Sequence, residues 1–168
     1  MHAIRTLLLL LLTPAVCMAA GPPRSTMATP VDLELVLAVD VSGSIDDQEA
    51  RLQRDGYVKA LLDPAIIRAI TSGMLGRIAV TYFEWAGDEW QEPVIGWGLI
   101  DGVASARKYA ARLADADLNA GPWTSISSAI DHAVTLFAAN GFAGTRRVID
   151  ISGDGPNNTG WPVKMARD

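Results

Sequence analysis

Leu33-Glu34-Leu35-Val36-Leu37-Ala38-Val39 is a nearly continuous apolar run that ends in Asp40-Val41-Ser42-Gly43-Ser44. A short apolar run closed by polar turn residues suits a strand covered on both faces, as in a parallel sheet. Downstream, Ile45 to Leu62 predicts a helix with Ala50, Tyr57, Val58, Leu61 and Leu62 as its apolar face. Asp46 and Glu49 have the spacing of a capping box, with Asp in place of Ser or Thr. Asp63-Pro64 ends that helix, and a short apolar segment, Ile66 to Ile70, leads to Gly73 and Gly76.

Arg77 to Phe83 predicts a second strand, Gly87-Asp88 a turn, and Trp90 to Ile95 a third strand. So short a connection favours an antiparallel hairpin, because a parallel return needs a crossover. Val103, Ala106, Ala110 and Leu113 mark one helix face, and Ile126, Ile130, Ala133 and Phe137 another. Arg147 to Ile151 is a fourth strand, and Trp161 to Arg167 begins a further helix. This alternation predicts an open, mostly parallel, doubly wound α/β sheet with helices on both faces and one antiparallel edge strand. Ligands of such sheets bind beyond the carboxyl ends of the strands, which selects the loops after Val39, Phe83 and Ile151.

The 168 residues fit one domain, and 49% hydrophobic content is enough for one sizeable core. A net charge of −5 argues against nucleic acid or an anionic membrane as the main partner. Residues 1–20 read as a secretory signal peptide: His2 and Arg5, then Leu7 to Leu12, then Ala19-Ala20-Gly21. That apolar run is well short of the ~20 residues of a membrane span, so no transmembrane segment is expected in the mature chain. Cleavage near Ala20 implies a periplasmic or secreted protein. The rival reading is a lipoprotein anchored through Cys17, for which Val16 is a bulky neighbour. Cys17 is the only cysteine, so cleavage leaves no disulfide and no thiolate site. Residues 21–30, with Pro22, Pro23 and Pro30, read as a flexible lead-in, and the domain proper is expected over 31–168.

Asp40, Ser42 and Ser44 place three oxygen side chains at alternating positions, and Gly43 permits the turn that lets them converge. Carboxylate and hydroxyl oxygens suit Mg2+, Mn2+ or Ca2+ better than zinc or copper. The Asp-x-Ser-x-Ser segment after an apolar strand resembles the metal-ion-dependent adhesion site of von Willebrand factor A and integrin I domains. Thr124, in Pro122-Trp123-Thr124-Ser125-Ile126, matches that site's threonine. Asp154, in Ile151-Ser152-Gly153-Asp154-Gly155, matches its later aspartate. Pro122 stands where many members have glycine, and Gly153 where threonine is usual. The stretch from Val148 to Asn158 is further similar to a bacterial exported branch of unknown function. The resemblance implies a metal held by Asp40, Ser42, Ser44, Thr124 and Asp154, with one position open to a partner's Asp or Glu carboxylate. It also implies six strands. Only four are legible, so the chain is expected to be C-terminally truncated.

Two helix N-termini, near Asp46 and Ser125, are expected to face the same crevice and favour an incoming anion. Trp85, Trp123 and Trp161 either frame the metal as a partner-binding rim or pack over the sheet ends. Asp150 is a rival for Asp154, since Val39 to Gly43 and Ile149 to Gly153 share a pattern. A place inside the strand makes Asp150 a buried polar residue instead. His132 is the only histidine outside the signal, so neither a zinc site nor a Ser-His-Asp triad is expected. No catalytic constellation is legible. A metal-dependent hydrolase using the same aspartates and a degenerate, non-binding fragment are the alternatives to a recognition domain. Asn157-Asn158-Thr159 matches the glycosylation sequon, which matters only for a eukaryotic source.

Overall fold

The computed structural model describes residues 27–168; the expected signal peptide and most of the expected lead-in lie outside the described residues. Eleven elements follow in order: β1 (Thr29–Val31), β2 (Leu33–Asp40), α1 (Asp47–Leu62), α2 (Pro64–Thr71), β3 (Ile78–Trp85), β4 (Gln91–Ile100), α3 (Val103–Ala114), α4 (Ile126–Thr135), β5 (Phe142–Gly144), β6 (Arg147–Ser152) and α5 (Val163–Arg167). The main sheet has the order β4-β3-β2-β6. β2 runs parallel to both neighbours, and β4 runs antiparallel to β3 at the edge.

Side chains alternate across β2, so the apolar run serves two cores. Leu37 and Val39 join Val80 and Tyr82 under α1, α2 and α3, which contribute Leu61, Ile67, Ala106 and Leu113. Val36 and Ala38 join Phe83 and Trp85 under α4, which contributes Ala129 and Ala133. Helices therefore cover both faces. Every residue of β3 is buried, as a central strand requires.

α1 begins at Asp47 with Asp46 as its cap, two residues later than the sequence reading had it. The Asp46 carboxylate accepts from the amides of Gln48 (2.8 Å) and Glu49 (2.9 Å), and Glu49 reaches back to the Asp46 amide. β4 continues to Ile100, beyond the expected stop at Ile95. Pro93 and two glycines interrupt its pattern, and an edge strand tolerates them.

Thr29 and Pro30, read as the end of the lead-in, pair with Phe142 and Ala143 in a small parallel sheet. A buried carboxylate holds that sheet against β2. Glu34 accepts from Asn140 Nδ2 (2.6 Å) and from the Gly144 amide (2.6 Å). Arg147 Nε lies 3.6 Å from the same carboxylate. Asp150 departs from its expected burial. It is exposed, because β6 is the outer strand of the sheet and solvent can satisfy the side chain.

His132 lies in α4 with its ring against Phe83, centroids 4.8 Å apart. Its Nε2 is buried without a partner, and burial lowers its pKa from the ordinary 6.5. A depressed histidine keeps its full contribution to stability above 6.5. That contribution is lost as pH falls from there through the folded-state value. Urea midpoints of the wild type are therefore expected to drop between about pH 8 and about pH 5, and His132→Leu is expected to flatten that part of the profile. Equal slopes for the two proteins would place the pH sensitivity elsewhere.

Candidate functional site

β2 delivers Asp40 to the carboxyl end of the sheet, where the carboxylate is fully buried. Its Oδ1 accepts from the Ser42 amide at 2.8 Å, which closes the turn. Its Oδ2 is buried and has no hydrogen-bond partner. Burial pushes the Asp40 carboxyl above its ordinary range, the Ser42 amide and hydroxyl oppose that shift, and the charge of Asp154 adds to it. An unpartnered buried carboxylate oxygen is costly and calls for an explanation.

The other candidates surround it. Ser42 Oγ and Ser44 Oγ lie 3.3 Å apart, and Ser44 Oγ donates to Asp154 Oδ1 at 2.9 Å. Asp40, Ser42, Ser44 and Asp154 thus form one linked group. A Cβ on Gly153 would sit 3.3 Å from Asp40 Oδ2 and 3.4 Å from the Trp85 ring. A side chain at position 153 would therefore require Asp40 or Trp85 to yield by a few tenths of an ångström.

Thr124 comes to the same end of the sheet by backbone ties. The Val41 amide donates to the Trp85 carbonyl (2.9 Å), the Gly121 amide to the Val41 carbonyl (3.0 Å), and the Ser125 amide to the Ala86 carbonyl (2.7 Å). These bonds fix the Gly121–Ser125 loop against the ends of β2 and β3. The Thr124 amide donates to Asn158 Oδ1 at 2.8 Å, and the Thr124 carbonyl accepts from the Asn158 amide at 2.9 Å. Thr124 is buried and clamped to the segment that follows Asp154.

Two supporting residues escaped the sequence reading. Gln53 of α1 donates to the Asp40 carbonyl at 2.9 Å, and its Oε1 lies 3.5 Å from Ser152 Oγ. It bridges the ends of β2 and β6, and only the helical phase of α1 could have hinted at it. Asn158 was read as part of a sequon and is instead the clamp on Thr124. Asn157 Nδ2 is engaged with the carbonyls of Thr159 (2.8 Å) and Trp161 (3.2 Å).

The helix N-termini are satisfied internally. Asp46 occupies that of α1, and Ser125 and Asn157 accept from the first amides of α4. The tryptophans divide. Trp85 is 0% exposed and lies beneath the site, so it is not a rim residue: as the last residue of central β3 it belongs to the core under α4. Trp123 and Trp161 are 67% and 47% exposed. Among the described residues, no group of three or more His, Cys, Asp or Glu gathers anywhere, so any metal must rely on hydroxyls as well as carboxylates. The donor set fits that demand: two carboxylates, one with a buried oxygen free, beside a pair of serine hydroxyls.

The family model described as "Protein of unknown function (DUF1194)" matches residues 30–168. The chain belongs to this family. No curated protein matches the sequence. Proximal thread matrix protein 1 from the mussel byssus has a similar structure: TM-score 0.59, 17% identity, 83% of this chain and 35% of that one. A second structure of that protein, described as having a zinc-occupied MIDAS motif, gives TM-score 0.61 and 18% identity over the same shares. The vWF domain of the type V pili tip protein Mfa5 from Porphyromonas gingivalis aligns with TM-score 0.45 and 15% identity, over 77% of this chain and 40% of that one. This chain thus spans about a third of the mussel protein. Its fold is von Willebrand factor A-like.

Proposed function

We propose that this chain is an exported recognition domain that engages a protein partner through a divalent cation held by Asp40, Ser42, Ser44, Thr124 and Asp154. One observation carries the reading: Asp40 Oδ2 is buried, unpartnered and adjacent to a second carboxylate. Two such charges are tolerated together when a cation lies between them. The cation would supply Lewis acidity toward an incoming carboxylate, and the protein residues would orient it. Hard oxygen donors favour Mg2+, Mn2+ or Ca2+. The mussel protein's zinc-occupied motif supports divalent-metal use in this fold without fixing the ion. The reading of residues 1–20 as a signal peptide supports export, and no helix among the described residues is long and apolar enough to cross a membrane.

Isothermal titration with Mg2+ and Mn2+ tests it, with circular dichroism as the folding check. The wild type is expected to bind one ion, and Asp40→Ala and Asp154→Ala are each expected to lose that binding while staying folded. A folded wild type with no affinity for either ion, nor for Ca2+ titrated in the same way, would overturn the reading and favour a degenerate, non-binding domain.

A further inference from the structure

A net charge of −5 describes the whole chain and conceals a division between its two ends. β2, β3 and β6 run parallel, so their carboxyl ends share one pole, where Asp46, Asp47, Glu49, Asp88, Glu89 and Asp154 are exposed. The opposite pole gathers cations. Lys59 lies in the last turn of α1, Arg68 in that of α2, Arg77 just before β3, Arg107 near the start of α3 and Arg146 just before β6. We propose that this basic pole is a docking face for an anionic lipid surface, with the Met74-Leu75 loop entering the headgroup layer. The contact needs no metal, and it stands or falls independently of the site at the other pole.

Two grooves put the cations on one continuous face. The ends of α1 and α2 and the start of α3 enclose about 510 Å³, lined by Leu62, Pro64, Ile67, Arg68, Val103 and Arg107. Across α2, a second groove of about 400 Å³ has Asp32, Ala69, Gly73 and Arg146 in its walls. Arg68, Arg107 and Arg146 are exposed, and none is in an ion pair among the described residues. The carboxylates nearby are turned onto local donors. Asp32 accepts from the amides of Leu75 (3.0 Å) and Arg77 (3.3 Å), Asp63 from the Ala65 amide (2.6 Å), and Asp101 from Ser105 Oγ (2.7 Å). These three acids are committed to the fold, and the cations outnumber them.

Exposed apolar side chains share the pole. Leu62, Ile66, Met74, Leu75 and Val103 are all exposed there, Met74 at 96%. Apolar exposure gathered in one place marks a contact surface. Beside guanidiniums it matches a headgroup layer, where cations meet phosphate while apolar tips reach the acyl boundary. A purely acidic polymer would use the cations and leave Met74 in water. The acidic pole does not oppose the contact. The eight residues of β2 hold the two poles about 26 Å apart, about three Debye lengths at physiological salt. Chain entry agrees with this orientation: β1 leads into Asp32 at the basic pole, and the expected signal peptide, a membrane-engaging segment, precedes β1.

The test uses the chain without its expected signal peptide, residues 21–168, with chelator present. Co-sedimentation is measured on vesicles of phosphatidylcholine alone and of phosphatidylcholine mixed with phosphatidylglycerol. Binding is expected only to the mixed vesicles, and it is expected to fall as NaCl rises. Arg68→Gln/Arg107→Gln/Arg146→Gln is expected to weaken it on the order of a hundredfold, and Met74→Ser/Leu75→Ser on the order of tenfold. Cys17 is the only cysteine and is absent from this chain, so Met74→Cys and Asp88→Cys can each carry a single environment-sensitive dye. The dye at position 74 is expected to shift to shorter wavelength on mixed vesicles, and the dye at position 88 to stay unchanged. Every substitution is at an exposed position, and circular dichroism checks that each variant is folded. Equal binding to both kinds of vesicle, or to neither, would overturn the proposal, as would binding that survives the triple substitution. A shift of the dye at position 88 without one at position 74 would put the wrong pole on the membrane and overturn it too. Retention on polyglutamate without vesicle binding would replace the lipid surface with an acidic protein partner.

Discussion

Arg54→Met is expected to lower the unfolding free energy by about 3–5 kcal/mol, the usual cost of removing one partner from a buried ion pair. Arg54 projects from α1 into the interior, where it pairs with Glu84 of β3, and both side chains are almost fully buried. The guanidinium also donates to the carbonyls of Leu113 (3.0 Å), Ala116 (3.1 Å) and Asp117 (3.3 Å), and lies 5.4 Å from the centre of the Tyr82 ring. One side chain thus satisfies the C-terminal end of α3 and the loop that follows it. Without Arg54, Glu84 keeps only Asn119 Nδ2 at 2.8 Å, and the carbonyls lose their donor. Arg54→Met/Glu84→Leu is expected to recover much of the loss, since a buried pair is often replaceable by apolar residues of similar volume. Urea unfolding of the two single variants and the double variant measures the coupling. A neutral Arg54→Met would show that the pair contributes nothing net. The loop that Arg54 holds leads to Gly121 and Thr124, so the pair also positions one side of the candidate site.

The strand-to-loop transition at Asp40 was legible because two signals coincide there: an apolar run long enough for a covered strand, and oxygen side chains too regularly spaced for an ordinary turn. The Asp46 cap was legible because capping depends on local spacing alone. Glu34 and Arg54 were not. Each is a charged residue inside an element, and composition reads it as exposed until a partner distant in sequence is known. Gly144, which bonds Glu34, lies 110 positions away. β1 and β5 have three residues each, too few for any period to register. β4 was cut short because Pro93 and Gly96 break the strand pattern, although an unpaired edge makes them harmless. For Trp85 the sequence leaves a rim position and packing over the sheet ends both open; its phase along β3 turns it into the core under α4, which rules out the rim. At the site, the serines and aspartates were named from sequence, and the scaffold that orients them, Gln53 and Asn158, came only from the fold.

Asp40→Asn is expected to reverse sign with the metal. In chelator, the substitution removes a buried charge that has one oxygen unpartnered and Asp154 nearby. Asn keeps an oxygen for the Ser42 amide, so the turn survives. The metal-free variant is therefore expected to be more stable than the metal-free wild type, on the order of 1 kcal/mol. With Mg2+ or Mn2+ at about 100 times its dissociation constant, the wild type gains about 2.7 kcal/mol by mass action, and a variant that binds nothing gains none. The order of stability then inverts. Urea melts of both proteins in both conditions read the crossing directly. If Asp40 served only to close the turn through Ser42, Asp40→Asn would change little in either condition, and the wild type would not respond to the ion. The crossing distinguishes a carboxylate kept for a ligand from one kept for the fold, because only the former costs stability when the ligand is withheld.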